Sequence, residues 1–218
     1  MLERSGLRRA WDAVHQSEPV SGQPDEGTLA FLEGIRPRLA PEASILEAGC
    51  GRGRNAFYLS RAGYHVYACD LSSVALEIAK ACAQETGLPV SLQAADLRCL
   101  PYASDFFAAA ICVHVLPYHS KADLVTCLRE LWRVLGPNGW LYFDLLAPED
   151  AEYGCGEKLE EGTFLDPDGT PLHFSPQQEV NELSDGFALE RVTRIESIST
   201  PARTRVSWAV WAVKRNIR

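Results

Sequence analysis

The chain has 218 residues, 46% of them hydrophobic and 23% charged, with a formal net charge of −8. That balance suits one folded, soluble domain with a sizeable core and argues against disorder. An acidic chain lacks the surplus of Lys and Arg that binds phosphate backbones, so nucleic-acid binding is not expected.

Leu7, Trp11, Val14 and His15 recur at helical spacing. Pro19 to Pro24 reads as a loop, after which Asp25 caps a second helix through Leu29, Phe31, Leu32 and Ile35. Ser44 to Ala48 is a short strand running into glycines, and Asn55 to Ala62 is a helix stopped at Gly63. Tyr64 to Cys69 is a strand ending at Asp70. Ser72 or Ser73 caps the next helix, whose expected inner face is Leu71, Ala75, Ile78, Ala79 and Cys82. Val90 to Ala94 is the third strand.

Phe106 to Val115 is a continuous apolar run, as expected of a strand covered on both faces. Ser120 and Asp123 open a helix lined by Leu124, Cys127, Leu128, Leu131 and Leu135 and closed by Gly136-Pro137. Asn138-Gly139 turns into the fifth strand, Trp140 to Leu146. Pro148 to Phe174 reads as loop or short hairpin, and Ser175-Pro176-Gln177-Gln178 opens another helix. Two strands, Phe187 to Ser197 and Arg203 to Lys214, finish the chain. In the last, Val206, Trp208, Val210 and Ala212 face one way and Ala209, Trp211 and Val213 the other, which predicts an inner position.

Alternating strands and helices predict an α/β fold: a doubly wound, mostly parallel seven-stranded sheet with a helical N-terminal extension. One domain over 1–218 is expected, with a helical cap at 1–43, a ligand-binding core at 44–146 and a segment facing the second ligand at 147–218. The basic clusters Arg4, Arg8, Arg9 and Lys214, Arg215, Arg218 are expected to be solvated ends. The seven Cys are odd in number and lack C-x-x-C spacing, so no metal site is expected and a reducing, cytoplasmic compartment fits. Met1 to Ala10 has no apolar stretch of a secretory signal, and the run 106–113 is too short for a membrane span.

The informative segment is Glu47-Ala48-Gly49-Cys50-Gly51-Arg52-Gly53-Arg54-Asn55, where the first strand meets its crossover helix. Ligands of doubly wound sheets bind at such junctions, and glycine lets the backbone turn tightly and approach them. Cys50 is small enough for the same bend and reads as packing. Asp70, twenty-one positions after Gly49, ends the second strand and can accept two ribose hydroxyls. Asp96 ends the third and can accept from an adenine amino group, with Leu97 or Leu71 against the ring. The spacing is G-x-G-x-G where the dinucleotide fingerprint is G-x-G-x-x-G. Glu47 would repel a pyrophosphate but suits the cationic S-adenosylmethionine, directly or by holding the glycine bend.

These segments resemble the class I S-adenosylmethionine-dependent methyltransferases. Ile45 to Gly53 resembles their first motif, Tyr67-Ala68-Cys69-Asp70 the second and Ala95-Asp96-Leu97 the third. Asp105 to Cys112 resembles the start of the fourth, and Leu131 to Trp140 the helix and turn before the fifth strand. Gly51-Arg52-Gly53-Arg54-Asn55-Ala56 is similar to the tellurite-resistance and thiopurine methyltransferase branch.

The resemblance implies methyl transfer from S-adenosylmethionine to a small-molecule acceptor, leaving S-adenosylhomocysteine. It implies Glu47, Gly49 and Gly51 near the methionine part, Asp70 at the ribose, Asp96 and Leu97 at the adenine, and Val113 and His114 beside the sulfonium. It also implies an antiparallel strand inside the sheet near its end. Candidate bases are His114, Tyr118 and His119, although His114 equally suits packing against the cofactor and His119 a solvated loop. Trp11 and the segment from Tyr153 to Phe174 are candidate covers for the acceptor. A cofactor-binding protein without transfer activity, and an NAD-dependent oxidoreductase, are the competing functions.

Overall fold

The computed structural model describes residues 4–17, 22–167, 169–200 and 203–215. Pro19, Pro201 and Arg218 lie outside them. The elements run α1 (Arg4–Ser17), α2 (Glu26–Ile35), β1 (Ser44–Ala48), α3 (Arg54–Arg61), β2 (His65–Asp70), α4 (Ser73–Thr86) and β3 (Val90–Ala94). They continue with β4 (Phe107–Cys112), α5 (Lys121–Val134), β5 (Leu135–Leu146), β6 (Glu157–Glu160), β7 (Thr163–Leu165), β8 (Pro171–His173), α6 (Gln177–Leu183), β9 (Phe187–Thr200) and β10 (Arg203–Lys214).

Seven strands form one sheet in the order β3-β2-β1-β4-β5-β10-β9. The first five are parallel, and β10 runs antiparallel between β5 and β9. The chain starts at β1, walks outward to β3, then returns across β1 to begin β4. This reversal leaves a crevice between the carboxyl ends of β1 and β4.

Each face of the sheet is covered. Leu46 and Ala48 of β1 turn toward a core shared with Leu124, Leu128 and Leu131 of α5 and Val180 of α6. Ile45, the alternate residue, turns toward Phe31, Leu32 and Ile35 of α2 and Leu59 of α3. Strand β10 divides the same way: Val206, Trp208, Val210 and Ala212 join the first core, while Ala209 and Trp211 join the second. A strand apolar on both faces loses least by lying inside, which is where β10 sits.

Local signals set the helix starts. The side chains of Asp25, Ser72 and Ser120 accept from the backbone N–H groups of Thr28, Ala75 and Asp123. Gly87, in a left-handed conformation, ends α4.

Several expectations need correction. Leu76, in place of Ile78 and Cys82, completes the buried face of α4 with Ala75 and Ala79. Strand β4 stops at Cys112, and the chain turns where His114 adopts a positive φ of 58°. Strand β5 begins earlier than expected, at Leu135, which pairs with Phe107; the expected turn at Asn138-Gly139 lies within it as an irregularity, with Asn138 at a φ of 61° and the register shifting before Trp140 pairs with Ala109. The segment after Pro148, expected as loop or short hairpin, holds two successive antiparallel pairings in a three-stranded sheet, β6-β7-β8. Its strands are three or four residues long, too short to show a clear alternation.

Lys214 is no solvated end. It is buried, with Nζ donating to Asp105 Oδ1 and to the Leu135 carbonyl, both at 2.6 Å, and lying 4.1 Å from the Trp132 ring centre. Position in a sequence does not fix exposure when the last strand is an inner one. All seven cysteines are free, and among the described residues no helix is long and apolar enough to cross a membrane.

Candidate active site

The glycine bend after β1 is shaped by its own backbone. Gly49, Gly51 and Gly53 have φ of 77°, 50° and 85°, a region that side chains other than glycine rarely occupy. The N–H groups of Gly49 and Cys50 both donate to the Cys69 carbonyl on β2, at 2.8 and 2.9 Å. A Cβ on Gly49 would stand 2.2 Å from Val115 Cγ2, so this bend and the turn after β4 meet without a gap.

Two carboxylates brace that bend. Asp70, buried at the end of β2, accepts from Gly51 N at 2.7 Å and from Ser72 N at 2.8 Å. Glu47 is buried on β1, and its Oε2 has no hydrogen-bond partner. Burial pushes Glu47 up to about 8, against hydrogen bonds from the Asn55 side chain and the Ala56 N–H. Asn55 also accepts from the backbone N–H of Asp25 at 2.8 Å, which ties α2 to the start of α3.

These groups line a cavity of about 380 Å³ at the crevice. The eleven residues expected at a cofactor all border it: Glu47, Gly49, Cys50, Gly51, Asn55, Asp70, Leu71, Asp96, Leu97, Val113 and His114. So do Tyr118 and His119. Burial raises the Cys50 thiol, which agrees with packing as its part in the bend.

Asp96 differs from the free acceptor expected of it. Arg98 donates Nε to its Oδ1 at 3.0 Å and Nη2 to its Oδ2 at 2.8 Å, and the Arg98 backbone N–H adds a third bond. The carboxylate borders the cavity, but both oxygens already carry strong partners. Arg98, two residues further on, was the overlooked signal.

The three candidate bases separate sharply. His114 Nδ1 is 2.9 Å from Asp144 Oδ2, and Nε2 is 3.7 Å from Asp25 Oδ2. The Asp144 charge outweighs desolvation and, with Asp25, raises His114 to about 9. Such a ring is a cation near neutrality and has no lone pair with which to take a proton, so it is a poor general base. In return, His114 and the Thr28 N–H outweigh burial and hold Asp25 below its usual range.

His119 is the opposite case. It is buried, unlike a solvated loop residue, and burial lowers its pKa. Its Nδ1 lies 3.1 Å from the Val115 carbonyl, which can only accept. Nδ1 therefore carries the hydrogen, and Nε2 of the neutral ring keeps its lone pair. Tyr118 accepts from Arg205 Nη2 at 3.4 Å.

Helix α1 closes the cavity from the outside. Asp12 Oδ1 accepts from Ser72 Oγ at 2.6 Å and from Val74 N at 3.2 Å, and Arg52 donates to the His15 carbonyl. Leu7, Trp11, Val14 and His15 face inward, and Trp11 meets the Tyr118 ring edge-on at 4.8 Å. Trp11 thus borders the cavity, the place expected of a cover. Residues 153–174 do not border it: Tyr153, Phe164 and Phe174 pack on one another instead. Arg205, unremarked in the sequence because β10 lies far along the chain, borders the cavity.

Comparison with known proteins gives this arrangement its family. Residues 45–139 match the family described as methyltransferase domain. This segment is thus similar to the class I S-adenosylmethionine-dependent methyltransferases. A Bacillus subtilis relative named uncharacterized methyltransferase YodH is 36% identical over 117 residues, which are 53% of this chain and 49% of that protein. A malonyl-[acyl-carrier protein] O-methyltransferase of Halorhodospira halophila is 28% identical over 84% of this chain and 70% of its own. The chain spans about half the length, or less, of the first curated relatives it matches.

Among solved structures, the fold is shared with 1,6-didemethyltoxoflavin-N1-methyltransferase of Burkholderia thailandensis. The TM-score is 0.75 at 19% identity, covering 97% of this chain and 88% of that one. That structure holds 1,6-didemethyltoxoflavin and S-adenosylhomocysteine. The narrower likeness to the tellurite-resistance and thiopurine branch, carried by the six residues Gly51 to Ala56 alone, finds no support in these comparisons.

Proposed function

We propose that this methyltransferase moves the methyl group of S-adenosylmethionine onto a small-molecule acceptor held between α1 and the carboxyl end of β4. The observation that carries this reading is the buried Glu47 oxygen without a partner, at a glycine bend bordering the cavity. An unpaired buried acceptor is costly and calls for a donor or a cation. S-adenosylmethionine has both an ammonium and a sulfonium, whereas the pyrophosphate of NAD would bring negative charge beside Glu47 and Asp70.

When bound, S-adenosylmethionine supplies a methyl group on a positively charged sulfur. The residues of this chain would then hold and shield the reactants. Glu47 and the glycine bend would take the methionine end, and Asp70 would use its second lone pairs for the ribose hydroxyls. Leu71 and Leu97 would flank the adenine, with Asp96 accepting alongside Arg98. Val113 and the His114 turn would border the sulfur. Helix α1 would exclude water. Holding two reactants in line accounts for about 7–11 kcal/mol of a displacement barrier. His119, with its Nδ1 hydrogen on the Val115 carbonyl and its lone pair on Nε2, would take a proton from a hydroxyl or amine acceptor.

The division into a cap at 1–43, a donor-binding core at 44–146 and an acceptor side at 147–218 fits this reading with one change. The acceptor side is supplied by β10, and 153–174 is a separate packing unit.

Incubation with S-adenosylmethionine and a panel of thiols, thiopurines, phenols, carboxylic acids, selenite and tellurite tests the proposal. Release of S-adenosylhomocysteine with a small-molecule acceptor is expected. Donor binding with no release across the panel, or release only with tRNA or protein, would overturn it.

A further inference from the structure

Arg205 carries an inference that the family assignment does not. It sits on β10, and β5 separates β10 from β4. It is therefore on the far side of the crevice from Asp70 and Asp96, at the tips of β2 and β3, in the part of the cavity bordered by Trp11, Tyr118 and His119.

Its guanidinium is undercommitted. Nε is buried and has no acceptor, and the one bond it makes among the described residues is a long one, from Nη2 to Tyr118 Oη at 3.4 Å. The nearby carboxylates are already engaged. Asp144 accepts from His114 N through Oδ1 and pairs with the His114 ring through Oδ2. Asp150 accepts from Glu152 N at 2.9 Å through Oδ1 and from Val206 N at 2.7 Å through Oδ2. In a chain of net charge −8, acids to neutralise an arginine are plentiful. A cation left with free donors inside a cavity is instead matched to something that enters it. A planar fork of N–H groups fits a carboxylate with two parallel bonds.

The walls around Arg205 define the rest of the ligand. Leu7, Trp11 and Val14 of α1 and the Tyr118 ring present apolar and aromatic surface. We propose that Arg205 anchors the acceptor, and that the acceptor is a small carboxylic acid whose apolar body packs on Trp11 and Tyr118. The proposal rests on the reading of this cavity as a methyl donor and acceptor site.

The test uses the full chain saturated with S-adenosylhomocysteine, titrated by ligand-observed NMR. Benzoate, phenylacetate and hexanoate are compared with benzamide, phenylacetamide and hexanamide. At least one acid should bind, with its amide weaker by about tenfold or more. Arg205→Gln should remove that difference while S-adenosylhomocysteine affinity stays within about twofold, and Arg205→Lys should restore part of it. Equal binding of acids and amides, no acid binding at all, or a loss of S-adenosylhomocysteine affinity in Arg205→Gln would overturn the proposal. The last result would place Arg205 on the donor's own carboxylate. The comparison of acids with amides stands on the unaltered protein, whatever the stability of the variants. Failure of the chain to bind S-adenosylhomocysteine would defeat the methyltransferase reading itself, which a failure with the acids alone would not.

Discussion

Asp144 holds His114 twice, accepting from its backbone N–H at 2.7 Å and lying 2.9 Å from its ring Nδ1. The first contact pins the left-handed turn after β4, and the second fixes the charge on the ring. His114 should therefore keep both ring protons at neutral pH and titrate near 9. Histidine ring NMR reads this directly. A ring that loses its proton near the ordinary histidine value of about 6.5 would contradict the pairing.

His119 should behave in the opposite way, since burial lowers its pKa from the usual histidine value. His119→Ala should lower turnover on a hydroxyl or amine acceptor by about two to four powers of ten. S-adenosylhomocysteine affinity should not move, and the acid limb of the rate profile, where the base gains its proton, should disappear. Full activity in this variant would remove His119 from proton transfer.

Glu47 links donor binding to pH. In the free protein its pKa is about 8, so the carboxyl is largely protonated at neutrality. A cation beside it favours the ionised form, so donor binding should release a proton and tighten as pH rises toward 8. The linkage to folding runs the other way. Glu47, raised from 4.5, binds more protons folded than unfolded between its two pKa values, and His114, raised from 6.5 to about 9, does the same in its own window. The contribution of these two groups to the stability of the free chain should thus fall from pH 4.5 upward until about 9, while His119, with its lowered pKa, acts in the opposite sense below 6.5. Glu47→Gln should flatten the part below 8. Melting curves across that range, with and without S-adenosylmethionine, check both signs.

Lys214 should matter for stability and not for the site. Lys214→Met would leave the Leu135 carbonyl without its donor and Asp105 without its cation. Asp105 is 55% exposed and recovers water, so the cost should be about 1–3 kcal/mol in a urea titration, mostly from the carbonyl. A neutral substitution would mean that the Trp132 face alone holds this end of β10.

The fold was legible because the residues that build it repeat a simple pattern. The two apolar faces of β10 announced an inner strand, and Asp25, Ser72 and Ser120 announced their helices. One side of the cavity was legible for a related reason: Glu47, Gly49, Gly51 and Asp70 sit at strand ends within one stretch of chain. What sequence could not give was partnership between distant residues. The charge of His114 depends on Asp144, 30 positions later, and on Asp25, at the start of α2. The burial of Lys214 depends on Asp105, 109 positions earlier. Arg205 reaches the cavity only because β10 inserts beside β5.

The most direct measurement is calorimetric titration of the purified chain with S-adenosylhomocysteine, with NAD in a parallel run, repeated on Asp70→Ala. Binding of the nucleoside ligand at one site is expected, NAD should give no heat, and the variant should bind more weakly by about 1.5–3 kcal/mol, since Asp70 offers charged acceptors and also braces Gly51. Silence with S-adenosylhomocysteine and S-adenosylmethionine, or an affinity that Asp70→Ala leaves untouched, would contradict the assignment of this crevice.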